Sequence, residues 1–178
     1  MKTALNKSIA KEGFYLGNSM KRKFFLAALI LAPISVQASG IYVSPEVKIG
    51  SFRGAGIQLG ATDIAGFDAL YFDYSQITYK SGNYDETIDA YRIGFQHLFG
   101  HQPQMGFQAS LGLAQYDGTY RNERRDANGL SIGGAYVYQV NPILSVRAGA
   151  DLDVFMNDKT HTFTDTAINF SLGFGLRL

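Results

Sequence analysis

The sequence predicts an all-β chain, eight antiparallel strands closed into an up-and-down barrel. Three observations carry this. Large apolar residues alternate with small or polar ones over nearly all of residues 40–178, and a helical period is almost absent. Most of these runs reach the ~9–11 residues that a tilted membrane-crossing strand needs. The alternation also runs to the last residue. In "AINFSLGFGLRL", Ile168, Phe170, Leu172, Phe174, Leu176 and Leu178 share one face. A strand that stays apolar to its end needs a partner strand and an apolar medium, and barrel closure supplies the partner.

The first 38 residues read as an export leader with an upstream extension. Lys21, Arg22 and Lys23 form a basic start after Met20, Phe24 to Ile34 is a short apolar core, and Val36-Gln37-Ala38 is a small-x-small cleavage site. Residues 1–19 form the extension, 20–38 the leader and 39–178 the barrel. The leader region holds six Lys/Arg and one acid, so residues 39–178 keep ten Lys/Arg against fourteen Asp/Glu, a formal charge of −4. No sustained basic stretch remains, which argues against nucleic acid as a partner. There is no cysteine, and the core or a membrane must hold the fold instead of disulfides. No later segment is apolar for the ~18 residues of a membrane helix, so a spanning chain must be a closed barrel.

Strands are expected at about Gly40–Gly50, Ala55–Asp63, Asp68–Tyr79, Thr87–Phe99, Met105–Tyr116, Asn128–Val140, Ile143–Phe155 and Phe163–Leu178. The second is short and glycine-rich. The third loses phase near Gln76, where a bulge or the edge of the apolar zone is expected. The sixth, "LSIGGAYVYQV", is the clearest, and Asn141-Pro142 ends it in a tight turn. Connections after strands two, four and six are compact ("IAGF", "GHQPQ", "NP"). Those after three, five and seven are more polar and mostly longer ("KSGNYDE", "DGTYRNERRDA", "MNDKTHT"), while the first, "SFRG", is short. Short turns on one side and longer polar loops on the other fit a transmembrane barrel with both termini on the periplasmic side.

The minor face decides which side is inside. It is mostly small: Gly94, Gly106, Ser110, Gly112, Ala114, Ser131, Gly133, Ala135, Gly149, Ser171, Gly173 and Gly175. Such residues suit the interior of a narrow eight-stranded barrel, whereas a water-facing surface is rich in Lys and Glu. The opposite face carries Phe72, Tyr74, Tyr91, Phe95, Phe99, Phe107, Tyr136, Tyr138, Phe170 and Phe174, as a lipid-facing belt with an aromatic girdle would. Alternation is symmetric under exchange of faces, so a soluble lipocalin-like binding barrel stays as the alternative.

Eight charges fall on the small-residue face: Glu46, Lys48, Asp73, Arg92, Arg147, Asp151, Asp153 and Arg177. In a narrow lumen they must pair and hydrogen-bond. A closed ion network centred on Arg147, Asp151 and Asp153 is expected, with a small pore for solutes or ions as the alternative. Arg121, Arg124 and Arg125 are candidate surface contacts for lipopolysaccharide phosphates or a partner protein, because guanidinium matches phosphate well. Among the histidines, His97 is expected on the lipid face, His101 in a turn, and His161 in the loop near Asp158 and Asp165. No nucleophile motif and no metal spacing accompanies them. No cofactor is expected, and a lipid A-modifying enzyme is kept only as a further alternative.

On these residues the chain resembles the small eight-stranded outer-membrane β-barrel superfamily, which includes the outer-membrane protein A transmembrane domain and the opacity-like barrels. The most specific motif is a C-terminal assembly signal, filled here by Ser171, Gly173, Leu176 and Leu178, with Leu178 in the place of the usual aromatic. The resemblance implies outer-membrane insertion by the barrel assembly machinery and contact with outer-membrane lipid and lipopolysaccharide. It implies no shared activity. A monomer with a structural or surface-interaction role is expected.

Overall fold

The structure, a computed structural model, describes residues 40–100, 104–156, 160–161 and 165–178. The extension and leader expected over 1–38, His101 and Asp158 lie outside the described residues. The strands are β1 (Gly40–Gly50), β2 (Arg53–Ile64), β3 (Phe67–Ser81), β4 (Tyr84–Phe99), β5 (Met105–Tyr120), β6 (Glu123–Gln139), β7 (Leu144–Phe155) and β8 (Thr166–Arg177). Each pairs antiparallel with its chain neighbour, and β8 returns to β1, so the barrel is closed. No helix occurs among the described residues.

Register fixes the shape. Directly paired residues run Val43, Leu59, Phe72, Ile93, Leu111, Ile132, Leu152, Ile168 around the wall. Ile168 then meets Ser51, whose N–H donates to its carbonyl at 3.1 Å. From Val43 to Ser51 is a stagger of eight residues over eight strands, which tilts the strands by about 36°.

Every side chain in that circuit from Val43 to Ile168 points outward. Outward Val47, Leu111, Leu113, Ile132, Phe170 and Phe174 are 50–62 % exposed, whereas inward Glu46, Lys48, Asp73 and Arg92 are 1–4 % exposed. A soluble up-and-down barrel has the reverse polarity, so the lipocalin-like alternative is set aside. On β8 the belt runs from Ile168 to Leu178. At ~3.3 Å per residue and this tilt it is about 27 Å tall, near the ~25 Å band of outer-membrane barrels.

Strand ends depart from the sequence expectation. The expected loop "DGTYRNERRDA" is a two-residue turn. β5 continues to Tyr120 and β6 starts at Glu123, which pair directly. Arg121 (φ 46°) and Asn122 (φ 71°) both take the left-handed conformation that a type I′ turn requires. "KSGNYDE" likewise shrinks to Gly82-Asn83 between paired Ser81 and Tyr84, with Gly82 at φ 56°. Polar residues here mark strands that have risen out of the belt. The chain therefore expresses its asymmetry in strand length, with 15–17 residues in β3 to β6 against 11–12 in the other four.

β3 keeps its register across Gln76 without a bulge. What changes there is polarity. Gln76 faces out and is exposed, while Ile77 faces in and is 1 % exposed. The same inversion recurs on β4 to β6, while at the end of β7 the outward residue at that height is the exposed Met156. Above the belt, Phe52, Ile77, Ile88, Tyr116, Phe155 and the small residues Ala114, Ala127 and Ala167 form an apolar core inside the barrel. Asp89, Gln115, Asp117 and Asn128 face outward at that height.

Candidate functional site

The lumen is the candidate site. Period two delivers alternate residues of every strand to it, and several of the large side chains there lie against a glycine. An added Cβ at Gly56 would lie 2.6 Å from Glu46 Oε1, at Gly94 2.5 Å from the Tyr71 ring, at Gly133 2.6 Å from Asp151 Oδ1, and at Gly173 2.9 Å from Arg147 Nε. These four glycines are the sockets of the ionic and aromatic side chains beside them.

Arg92 on β4 is the hub. Its NH2 donates to Asp73 Oδ1 at 3.0 Å and its NH1 to Asp151 Oδ1 at 2.8 Å, with Ser131 and Ser75 hydroxyls at 3.2 and 3.4 Å. Lys48 bridges Glu46 (2.9 Å) and Asp151, and Arg147 pairs with Glu46. Neutral side chains complete the shell. Gln58 donates to Asp73 Oδ2 at 2.9 Å. Gln108 accepts from Arg147 and donates to Tyr42 and Gln96 at 2.8 and 2.9 Å. A void of about 10 Å3 lies in this layer, lined by Gln58, Tyr71, Asp73, Gln108, Arg147 and Asp151 among others. That is room for about one water molecule.

The expected centre shifts. Arg147, Asp151 and Asp153 do share one face of β7, but four residues of strand separate the first two by ~13 Å. The partners are instead reached across the barrel, Arg147 to Glu46 and Asp151 to Arg92 and Lys48. Asp153 makes no ion pair among the described residues, and its Oδ1 is buried without a hydrogen bond. Arg177 stands apart at the rim that carries the termini. Its NH2 donates to the Asp68 carbonyl at 3.0 Å and lies 3.7 Å from the Asp68 carboxylate.

Toward the opposite end the lumen is capped twice. The apolar core lies over the ionic layer, with Phe52 held by its N–H on Asn169 Oδ1 at 3.0 Å. Above it, Tyr116 donates to Glu86 at 2.6 Å and accepts from His161 N–H at 3.0 Å. Burial, then the bond to Glu86, push the Tyr116 hydroxyl above its ordinary pKa and keep it a donor. Thr160 is 4 % exposed, and its carbonyl accepts from Arg125 at 3.0 Å.

The other sequence candidates are placed as follows. Arg124 pairs with Asp117, which raises its already high pKa. Arg125 pairs with Glu123 at 2.9 Å, and Arg121 lies 5.2 Å from the Tyr120 ring centroid. His161 Nε2 is 3.2 Å from the Glu123 carbonyl. His97 is half-exposed on the outer face, 3.4 Å from Asp68. Ser171 and Gly173 face the lumen beside Lys48 and Glu46, while Leu176 and Leu178 belong to the outer face. Sequence reading missed the glutamines Gln58, Gln96 and Gln108 and the tyrosines Tyr42 and Tyr71. Their signal was available, since each occupies the same alternate positions as the lumen charges.

No protein-family model matches the chain, and no curated protein matches its sequence. Solved structures do match. Neisserial surface protein A (NspA) aligns at 19 % identity and TM-score 0.60 over 80 % of this chain and 99 % of its own. The N-terminal β-barrel domain of Pseudomonas aeruginosa OprF aligns at 16 % identity and 0.56 over 79 % and 98 %. A major outer membrane protein from Thermus thermophilus aligns at 13 % identity and 0.55 over 78 % and 99 %. With its closed wall, outward apolar belt and ionic lumen, the chain has the fold of the small eight-stranded outer-membrane β-barrels.

Proposed function

We propose that this chain is an integral protein of a Gram-negative outer membrane, a closed barrel with a structural or surface-interaction role and no solute pathway. The carrying observation is the pairing of an outward belt about 27 Å tall with a lumen crossed by a buried ionic layer that leaves a void of about 10 Å3 between its side chains. A hydrated ion cannot pass a space for one water, and the Arg92 hub is held by four side chains within 3.4 Å. The polar ends of β3 to β6 and the capped mouth face outward from the cell, with both termini in the periplasm. In this reading residues 20–38 are removed on export, and the assembly machinery engages Ser171, Gly173, Leu176 and Leu178 during insertion. Lipid and lipopolysaccharide surround a single barrel.

Two measurements test this. Unboiled protein from detergent-extracted outer membranes should migrate faster than boiled protein, and planar bilayers containing it should stay electrically silent. Release as a soluble periplasmic protein would overturn the membrane reading. Steady, sizeable openings would overturn the closed lumen and favour the pore.

A further inference from the structure

Arg53 is the arginine that the folded barrel leaves over. Among the described residues, Arg92, Arg124, Arg125, Arg147 and Arg177 each have a carboxylate partner and Arg121 an aromatic ring. Arg53 is exposed and makes no ion pair among the described residues. Its place is specific. It opens β2, faces outward, and sits at the upper edge of the belt, where Val47, Ile49 and Ile57 are the last apolar side chains below it. Thr78 on β3 is its direct partner, and the Thr78 hydroxyl donates to the Arg53 carbonyl at 3.5 Å. Lys80, two residues further on the same face, has a 69 % exposed side chain that meets Asp85 at 3.0 Å. Such an exposed pair holds weakly and can exchange for a better anion. Around the rest of this rim the outward charges are acidic at Asp85, Asp89, Asp117 and Asp126, with Arg124 neutralised on Asp117. Arg124 is held on Asp117 as Lys80 is held on Asp85, so Arg53 is the outward cation of this rim with neither a carboxylate nor a ring partner among the described residues, and the strand register sets it beside Lys80.

We propose that Arg53 and Lys80 form a phosphate-binding position for a phosphorylated glycolipid of the outer leaflet. This rests on the membrane-spanning reading above, which puts the β2–β3 rim at headgroup height. The lipid's acyl chains lie along Ile49 and Ile57, and its phosphate takes the guanidinium fork of Arg53, with Lys80 turning from Asp85 as a second cation. Guanidinium suits this role because its planar donors match phosphate bidentately. The partner is a membrane lipid and not free phosphate, since the site has no walls of its own and the acyl chains must supply the remaining contact.

The full chain, folded in dodecylmaltoside micelles, is titrated with bisphosphorylated lipid A, monophosphoryl lipid A and lipid A stripped of both phosphates, and bound lipid is counted by native mass spectrometry. Wild-type retention should fall stepwise as phosphates are removed. The Arg53→Ala/Lys80→Ala variant should retain the bisphosphorylated form about tenfold more weakly, as the loss of a charge-assisted contact implies. The Arg124→Ala control should match wild type. Equal wild-type retention of all three lipids overturns the proposal, as does unchanged retention in the double variant. If the double variant misfolds, Arg53→Gln is measured alone, and unchanged retention of the bisphosphorylated form by that folded variant overturns the proposal. Heat-modifiable migration of the same samples separates the two readings. A barrel that folds in micelles yet ignores phosphate refutes the site alone, whereas a chain that stays in solution without micelles refutes the membrane reading.

Discussion

Replacing Arg92 by methionine puts the ionic lumen to its most direct test. The guanidinium is 1 % exposed, and its loss strands two carboxylates. Asp151 keeps Lys48, but Asp73 keeps only the 2.9 Å bond from Gln58. Removing one partner of a buried ion pair costs about 3–5 kcal/mol, because the remaining charge stays desolvated. The retained Lys48–Asp151 and Gln58–Asp73 contacts place Arg92→Met at the lower end of that range. Adding Asp73→Asn removes the stranded charge and should recover about 1–3 kcal/mol, less than the full loss since Asp151 is still underserved. The assay is reversible urea unfolding in phosphocholine vesicles, followed by tyrosine fluorescence and unboiled gel mobility, on wild type, both single variants and the double. A loss below about 1 kcal/mol for Arg92→Met would refute the hub. So would a double variant less stable than Arg92→Met alone, because it would mean that Asp73 is not relying on Arg92.

Further outcomes are expected elsewhere. Ile132→Arg, at the middle of the belt, should cost about 2–4 kcal/mol in vesicle unfolding, while Asn128→Arg, four residues higher on the same outer face of β6, should cost about 0–1 kcal/mol. Equal costs would mean that the belt does not meet lipid. Gly94→Ala drives a methyl to within 2.5 Å of the Tyr71 ring and should destabilise by about 1–3 kcal/mol. Combining it with Tyr71→Ala should show less than the summed loss, and strict additivity would dismiss the socket. Leu178→Asp puts a charge at a 72 % exposed outer position of the assembly signal and should lower the heat-modifiable fraction in outer membranes. Wild-type levels of that variant would count against the signal.

Face and strand order were legible because one physical variable, side-chain size alternating with period two, reports both. β1 begins and ends where its sequence says, and β8 is read from six apolar residues at strict spacing. The upper halves of β4 to β6 were not legible. There the outer face meets water and the inner face is apolar, so Asp117, Arg124 and Asp126 look like loop residues although they occupy strands. The turn at Arg121-Asn122 carries no glycine to announce it. Network partners were hidden for a different reason. Glu46 meets Arg147 only because closure brings β1 beside β8 with a stagger of eight, and no spacing along one strand encodes that contact. Arg53 drew no notice because an isolated arginine in "SFRG" acquires meaning only when the belt edge is found beneath it.

The inversion of polarity at the height of Gln76 and Ile77 makes the barrel its own depth gauge. Below that line the wall is stable only against hydrocarbon, and above it only against water. Each level of the wall presents about four outward side chains and rises about 2.7 Å per residue. Sinking by two residues would drag Asp89, Gln115 and Asn128 into acyl chains. Rising by as much would bare a ring of isoleucines and leucines, at ~1.5–3 kcal/mol for each side chain brought into water. Both displacements are opposed by several kcal/mol, a restoring force on both sides of one depth. In the proposed membrane setting the two-residue hairpin tips at Gly82-Asn83 and Arg121-Asn122 are thereby carried at a set elevation over the bilayer by the strands themselves.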